Sequence, residues 1–259
     1  PVAHGRITRL STEAARRAPG VRAVLTAAEL VARGIRPLGT RAPLEDAEDG
    51  VFHDRPRPVL AGDVVRHVGE PVAAVVADDA ATAADALEAV ELDIAPRDVA
   101  PPPPADGEEE TRQGRAETEV AFRWAKGDAA AATRAFERAD RVVALTVRHP
   151  RVAAAPLEPR VAVAAFTPAT GRYTLWTPSQ GVLTLRGAIA ESLGVDAGAV
   201  RVLTEDVGGS FAVKIWPYPE HVLTLVAAEL TGRPVKWVAD RSESFSADVP
   251  GRARIDHAR

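Results

Sequence analysis

Apolar residues recur along the chain in short blocks whose period switches between two and about 3.6, as it does where strands and helices alternate in mixed proteins. Residues 5–10 read as a strand, 12–17 as a short helix and 21–25 as a second strand. The next helix has Thr26 at its cap and Glu29 at the third helical position, a reciprocal arrangement that satisfies two orphan backbone N–H groups. Residues 34–54 lose the period and gain glycine, proline and charge, which predicts a long surface loop. Across 64–77, two valine-rich runs are split by Gly69, Glu70 and Pro71, so the stretch reads as two strands or one bent strand. Asp78 or Asp79 can cap an alanine-rich helix over 80–89, and 90–94 closes the block as a strand.

From residue 100 the composition shifts to four consecutive prolines and then to Glu108, Glu109 and Glu110, an extended acidic stretch that can bury little. Residues 101–118 are therefore expected to be a linker between a first domain, 1–100, and a second, 119–259. In the second, 119–125 reads as a strand, 128–139 as a capped helix and 142–148 as a strand. Residues 161–166 and 172–177 flank a loop containing Pro168 and Gly171, as hairpin strands do. A helix over 182–193 stops at Gly194, 200–204 is a strand, a helix over 219–231 stops at Gly232, and 235–238 is a further strand. Residues 252–256 alternate like an unfinished strand. The expected fold class is α+β.

Composition narrows the function. With 46% hydrophobic and 26% charged residues the chain is an ordinary globular sequence. Its net charge of -4 offers no basic surplus for a phosphate backbone, so nucleic acid is not an expected partner. Without cysteine it cannot form disulfides, thiolate zinc sites or iron–sulfur ligation of its own. No apolar run approaches the ~20 residues of a membrane span, and a cytoplasmic location is expected. His4, His53, His67, His149, His221 and His257 lack the short spacings of a metal site and read as structural or surface residues. The absence of methionine, the first residue Pro1 and the unfinished final strand suggest a piece of a longer protein. Such a piece is expected to expose apolar surface where missing strands should pair, and so to aggregate or bind poorly structured partners.

Three features carry candidate chemistry. Gly208 and Gly209, between a strand and a helix, allow a sharp turn whose N–H groups can approach a ligand oxygen. Gln180 follows a strand that ends in Trp176 and precedes a helix, so its amide projects at an element end. Glu158 and Arg160 lie in a proline-broken connection, where they are expected to pair with each other. Singly, each has an ordinary reading: a tight turn, a solvated glutamine, a surface salt bridge.

In order, however, the landmarks form a series. Val68-Gly69-Glu70-Pro71-Val72-Ala73, Leu157-Glu158-Pro159-Arg160, Leu175-Trp176-Thr177-Pro178-Ser179-Gln180, Val207-Gly208-Gly209-Ser210-Phe211, Tyr218-Pro219-Glu220 and Gly232-Arg233-Pro234-Val235-Lys236-Trp237 resemble the serial motifs of molybdenum hydroxylase large subunits, the xanthine dehydrogenase, aldehyde oxidase and carbon monoxide dehydrogenase group. The resemblance runs along essentially the whole chain.

It implies an α/β hammerhead domain followed by the first part of a molybdopterin-binding α/β domain. It further implies a molybdenum–molybdopterin cofactor, in the cytosine dinucleotide form, held through the pterin's dithiolene sulfurs rather than by side chains. Gln180 would lie near an oxo ligand of the metal. Gly208, Gly209, Ser210, Phe211 and Ala212 would form the turn against the pterin's metal end. The general-base glutamate of the family matches no acid of this chain, so the chain alone is expected to be inactive. Expected partners are a small-molecule substrate, iron–sulfur and flavin subunits or domains, and the remainder of the large subunit. The implied reaction is hydroxylation of an aldehyde, an N-heterocycle or a carbon monoxide type substrate with water-derived oxygen. Two departures stand out. Ser210 and Ala212 replace family glycines, at positions expected to need a positive φ. Ile215 replaces the acid of purine-oxidising members, which argues against xanthine. A divergent or split homologue serving as a non-catalytic binding or assembly module is the alternative.

Overall fold

The computed structural model describes residues 2–39, 56–99 and 124–259. The expected linker, most of the 34–54 loop and the first residues of the 119–125 strand lie outside the described residues.

In chain order the elements are β1 (Gly5–Ser11), α1 (Glu13–Arg17), β2 (Val21–Thr26), α2 (Ala27–Ala32), β3 (Val64–Val65), β4 (Ala73–Ala77), α3 (Ala80–Glu88) and β5 (Glu91–Pro96). There follow α4 (Ala129–Glu137), β6 (Leu145–Val152), β7 (Val161–Thr167), β8 (Arg172–Trp176), α5 (Val182–Leu193), β9 (Val200–Leu203), α6 (Pro219–Thr231), β10 (Val235–Val238), α7 (Arg241–Ala247) and β11 (Gly251–Ala258). The fold is α+β, as the pattern predicts.

Local chemistry explains most of the element boundaries. Thr26 and Glu29 make both halves of the predicted capping box on α2. Of the two candidate caps for α3 it is Asp79 that accepts from the Thr82 N–H, and Asp128 does the same for α4 through Ala131. α5 and α6 stop at Gly194 and Gly232. The valine-rich 64–77 stretch resolves into two strands that join different sheets, β3 beside β1 and β4 beside β2. α7 is an element the apolar pattern misses: its sequence RSESFSA has no amphipathic stripe. Its signal is Asp240, which caps it by accepting from the Glu243 N–H at 2.6 Å.

The described residues form two compact units. One comprises 2–39, 56–99 and 153–249, and holds an antiparallel β3-β1-β5 sheet, the β2-β4 pair and a four-stranded β10-β7-β8-β9 sheet. A single hydrophobic cluster draws on both ends of this unit, from Leu25, Leu30, Leu38 and Leu60 through Ala162, Ala164 and Leu175 to Ile189, Val222 and Leu225. The other unit comprises 124–152 and 250–259; its β6 and β11 pair antiparallel from Val152 opposite Gly251 to Leu145 opposite Ala258.

The strand pair that places the site is β8 and β9. They run parallel, with Tyr173 opposite Val200 and Trp176 opposite Leu203, and α5 makes the crossover between them. Both strands therefore end at the same edge of the sheet, and the loops that leave them must start side by side. Ligands of open α/β sheets are met at such carboxyl ends.

Candidate functional site

Two cross-strand bonds tie those ends together. The Thr177 N–H donates to the Leu203 carbonyl at 3.0 Å, and Thr204 Oγ1 donates to the Thr177 carbonyl at 2.7 Å. The chain then runs through Ser179 and Gln180 into α5 on one side, and through 204–212 into a short 3₁₀ turn, Val213–Ile215, on the other.

This brings together residues thirty apart in sequence. The Ser210 hydroxyl donates to Gln180 Oε1 at 2.5 Å, and the Gln180 backbone N–H donates to the Lys214 carbonyl at 3.2 Å. Ser210 Oγ also accepts from the Lys214 N–H at 2.9 Å, closing the turn from Ser210 to Lys214. Every sequence-selected position, Gln180 and 208–212, thus lies in one patch. The patch is open rather than an enclosed cavity: Gln180, Gly208, Gly209 and Ala212 are exposed and Phe211 is 79% exposed.

The glycines have distinct reasons. A Cβ at Gly208 would stand 2.5 Å from the Glu158 Cβ, closer than two carbons can approach, while Gly209 needs its φ of +97°. The expectation for Ser210 is corrected. Ser210 does not adopt a positive φ; Phe211 and Ala212 do, at 49° and 68°. The reason is the Ser210 hydroxyl, whose bonds to Gln180 and Lys214 hold that residue ahead of the left-handed pair. A non-glycine residue in the left-handed region costs roughly 1–2 kcal/mol, and such strain gathers at ligand sites. Ala155, at φ 42°, precedes Pro156, which packs toward Gly209, so the facing loop is strained as well.

The expected Glu158–Arg160 pair does not form. Glu158 Oε2 instead accepts from Lys214 Nζ at 2.5 Å and from the Gly208 N–H at 2.9 Å, and the Glu158 N–H donates to the Gly208 carbonyl at 3.1 Å. Partial burial pushes the Glu158 carboxyl up. The hydrogen bonds from Lys214 and Gly208, with the lysine charge, outweigh burial and hold it below the usual range. Arg160 turns inward to Glu220 and to Asp248, the latter at 2.7 Å, with its guanidinium 3.7 Å from the centroid of the Tyr218 ring. The two side chains flanking Pro159 thus go to different partners, each distant in sequence. Neither the Lys214 pairing nor the Arg160 cluster had a local signal.

His221, expected to be a structural or surface residue, is buried. Its Nδ1 accepts from the Tyr218 N–H at 3.1 Å, and Nε2 lies 3.4 Å from Thr177 Oγ1. Burial, reinforced by the charge of Arg160, pulls its pKa down from 6.5 to about 3. The neutral ring therefore stabilises the fold above pH 6.5, and that stability is lost as pH falls toward 3. With a full slope of about 1.4 kcal/mol per pH unit reached only below pH 6.5, acidification from pH 6.5 to 4.5 should remove on the order of 2 kcal/mol through this one group. Urea unfolding of His221→Gln should show a flatter loss over that window; an unchanged slope would assign the acid sensitivity elsewhere.

Among the described residues no group of three or more His, Asp or Glu is placed to hold a metal ion, and no helix is long and apolar enough to cross a membrane. The donors present at the patch are amide N–H groups. Those of Gly209, Ser210, Phe211 and Ala212, and the Gln180 NH₂, have no partner among the described residues. Such a set suits a ligand rich in acceptor atoms rather than a bare cation.

An α+β chain whose parallel strands end beside such a turn has an architecture shared by several ligand-binding classes. Comparison with known proteins identifies which. The family model described as "Molybdopterin cofactor-binding domain" matches residues 112–259, and that described as "Aldehyde oxidase and xanthine dehydrogenase, a/b hammerhead domain" matches 1–98. The carbon monoxide dehydrogenase large chain of Hydrogenophaga pseudoflava is 35% identical over 266 residues, covering 97% of this chain and 32% of that one. The nicotine 6-hydroxylase large subunit of Paenarthrobacter nicotinovorans is 35% identical, covering 95% of this chain and 30% of that one. Quinoline 2-oxidoreductase from Pseudomonas putida 86 superposes with a TM-score of 0.77 at 30% identity, over 97% of this chain and 31% of that one. The chain belongs to the molybdenum hydroxylase large-subunit family, with xanthine dehydrogenase, aldehyde oxidase and carbon monoxide dehydrogenase large chains. It spans about a third of the length of the curated relatives it matches.

Proposed function

We propose that residues 119–259 form one wall of a molybdenum–pterin site, and residues 1–100 the hammerhead domain, in the large subunit of an oxidoreductase. Its substrate would be an aldehyde, an N-heterocycle or carbon monoxide, hydroxylated with oxygen from water. The observation that carries this reading is the meeting of Gln180 with the strained turn 209–212, where four backbone N–H groups and a carboxamide NH₂ have no partner among the described residues. These residues fit the group: a pterin and its phosphates present acceptor atoms, and a turn open at Gly209 lets backbone approach them.

When bound, the cofactor supplies the two-electron redox chemistry. The chain's own residues do the holding. The amides of 209–212 and the Gln180 NH₂ donate to acceptor atoms, and the exposed Phe211 ring offers an apolar face beside them. Lys214, tied to Glu158, fixes the turn from behind. Glu158, held ionised by Lys214 and Gly208, is unsuited to carrying a proton. The general base would lie on the remainder of the subunit, and without cysteine here electrons would leave through iron–sulfur and flavin partners. The cytosine dinucleotide form of the pterin and a cytoplasmic location complete the proposal.

The test is to purify the assembled protein that carries this chain and assay metal and pterin. Stoichiometric molybdenum and pterin are expected, with Gly209→Val retaining several-fold less of both; an assembled protein that contains neither would remove the reading.

A further inference from the structure

Ser210 stands where the family resemblance leads one to expect glycine, and its side chain is fully engaged. The residue is buried, its Oγ accepts from the Lys214 N–H at 2.9 Å, and it lies 2.5 Å from Gln180 Oε1. A serine hydroxyl has one proton to give. Because the Lys214 N–H already points at Oγ, that proton has the Gln180 carbonyl oxygen as its only acceptor among the bonds described. Were the Gln180 amide turned over, Oγ would face donors on two sides and its own proton would be left buried without a partner, which costs about 1–3 kcal/mol. The main chain of Gln180 is held too, by its N–H bond to the Lys214 carbonyl.

We infer that Ser210 is a positioning residue that fixes the polarity of the Gln180 carboxamide. The oxygen is turned back into the protein and the NH₂ is presented at the open patch as a donor. A glycine at this position has no atom to do this, and the amide would be free to rotate. The patch is thereby committed to an acceptor atom on whatever binds there. Only the identity of that ligand rests on the cofactor reading.

In the ¹⁵N-labelled assembled protein, the side-chain NH₂ signals of Gln180 are assigned by their loss in Gln180→Glu. The Gln180 NH₂ is expected to be nearly as ordered as rigid backbone, with an order parameter of about 0.85. In Ser210→Ala and Ser210→Gly it should fall below about 0.6, and Ser210→Thr, which keeps the hydroxyl, should restore it. An amide equally mobile in the parent and in Ser210→Ala overturns the inference. In the assembled protein, Ser210→Ala should release pterin about fivefold faster and Ser210→Thr should not, the factor expected for one net hydrogen bond. Equal release from all three also overturns it. An assembled protein without pterin, whose Gln180 amide is still ordered by Ser210, would remove the cofactor reading and leave this inference standing.

Discussion

Replacing Arg160 by methionine is expected to destabilise the chain by about 3–5 kcal/mol, the range for removing one partner from a buried ionic cluster. The Arg160 side chain is only 3% exposed, and it is the common partner of Glu220 and Asp248, whose carboxylates are themselves nearly closed off from water. Methionine fills the volume and stacks on Tyr218, so the loss reports the two stranded carboxylates rather than a cavity. Lysine in the same place keeps the charge but not the planar fork that reaches both acids, nor the guanidinium stacked over the Tyr218 ring. Arg160→Lys should therefore still lose stability, though less than Arg160→Met. Glu220→Gln with Asp248→Asn, added to Arg160→Met, should recover much of the loss, since no buried charge then lacks a partner. Urea midpoints at constant m-value measure all three; a loss below about 1 kcal/mol for Arg160→Met would show that water reaches the cluster.

What the sequence made legible was local. The Thr26–Glu29 box, the Asp79 and Asp128 caps and the Gly194 and Gly232 stops each act within four residues, and the strands follow from short-range alternation. Gln180 and 208–212 were legible only through the serial resemblance, because nothing local says that the ends of β8 and β9 adjoin. The parallel pairing of those strands does, and it is fixed by the crossover through α5. Charge pairing was the least readable feature. Glu158 and Arg160 are close in sequence and opposite in sign, yet the proline between them sends one to Lys214 and the other to Glu220 and Asp248, partners more than fifty residues away. α7 escaped because its stripe is polar, with Asp240 as the single cue.

The second large effect is an asymmetry within the Glu158–Lys214 pair. The Lys214 side chain is 1% exposed, whereas that of Glu158 is 34% exposed. Removing the acid strands a charge that water cannot reach; removing the base leaves one that water can. Glu158→Ala is therefore expected to cost about 2–3 kcal/mol, at the lower edge of the buried-pair range because one member is part-hydrated, and Lys214→Met only about 1 kcal/mol. The double variant should resemble Lys214→Met, giving a coupling energy of about 2 kcal/mol by the double-mutant cycle. The site should follow the same order. Glu158 also holds the Gly208 N–H, and Lys214 anchors Ser210 and Gln180 through its own backbone, so an unpaired Lys214 that moves outward to find water must drag the turn 210–214 with it. Loss of Gln180 amide order is thus predicted in Glu158→Ala but not in Lys214→Met, whose backbone bonds survive. Equal stability losses in the two single variants, or an ordered Gln180 amide in Glu158→Ala, would show that the ion pair and the turn are independent.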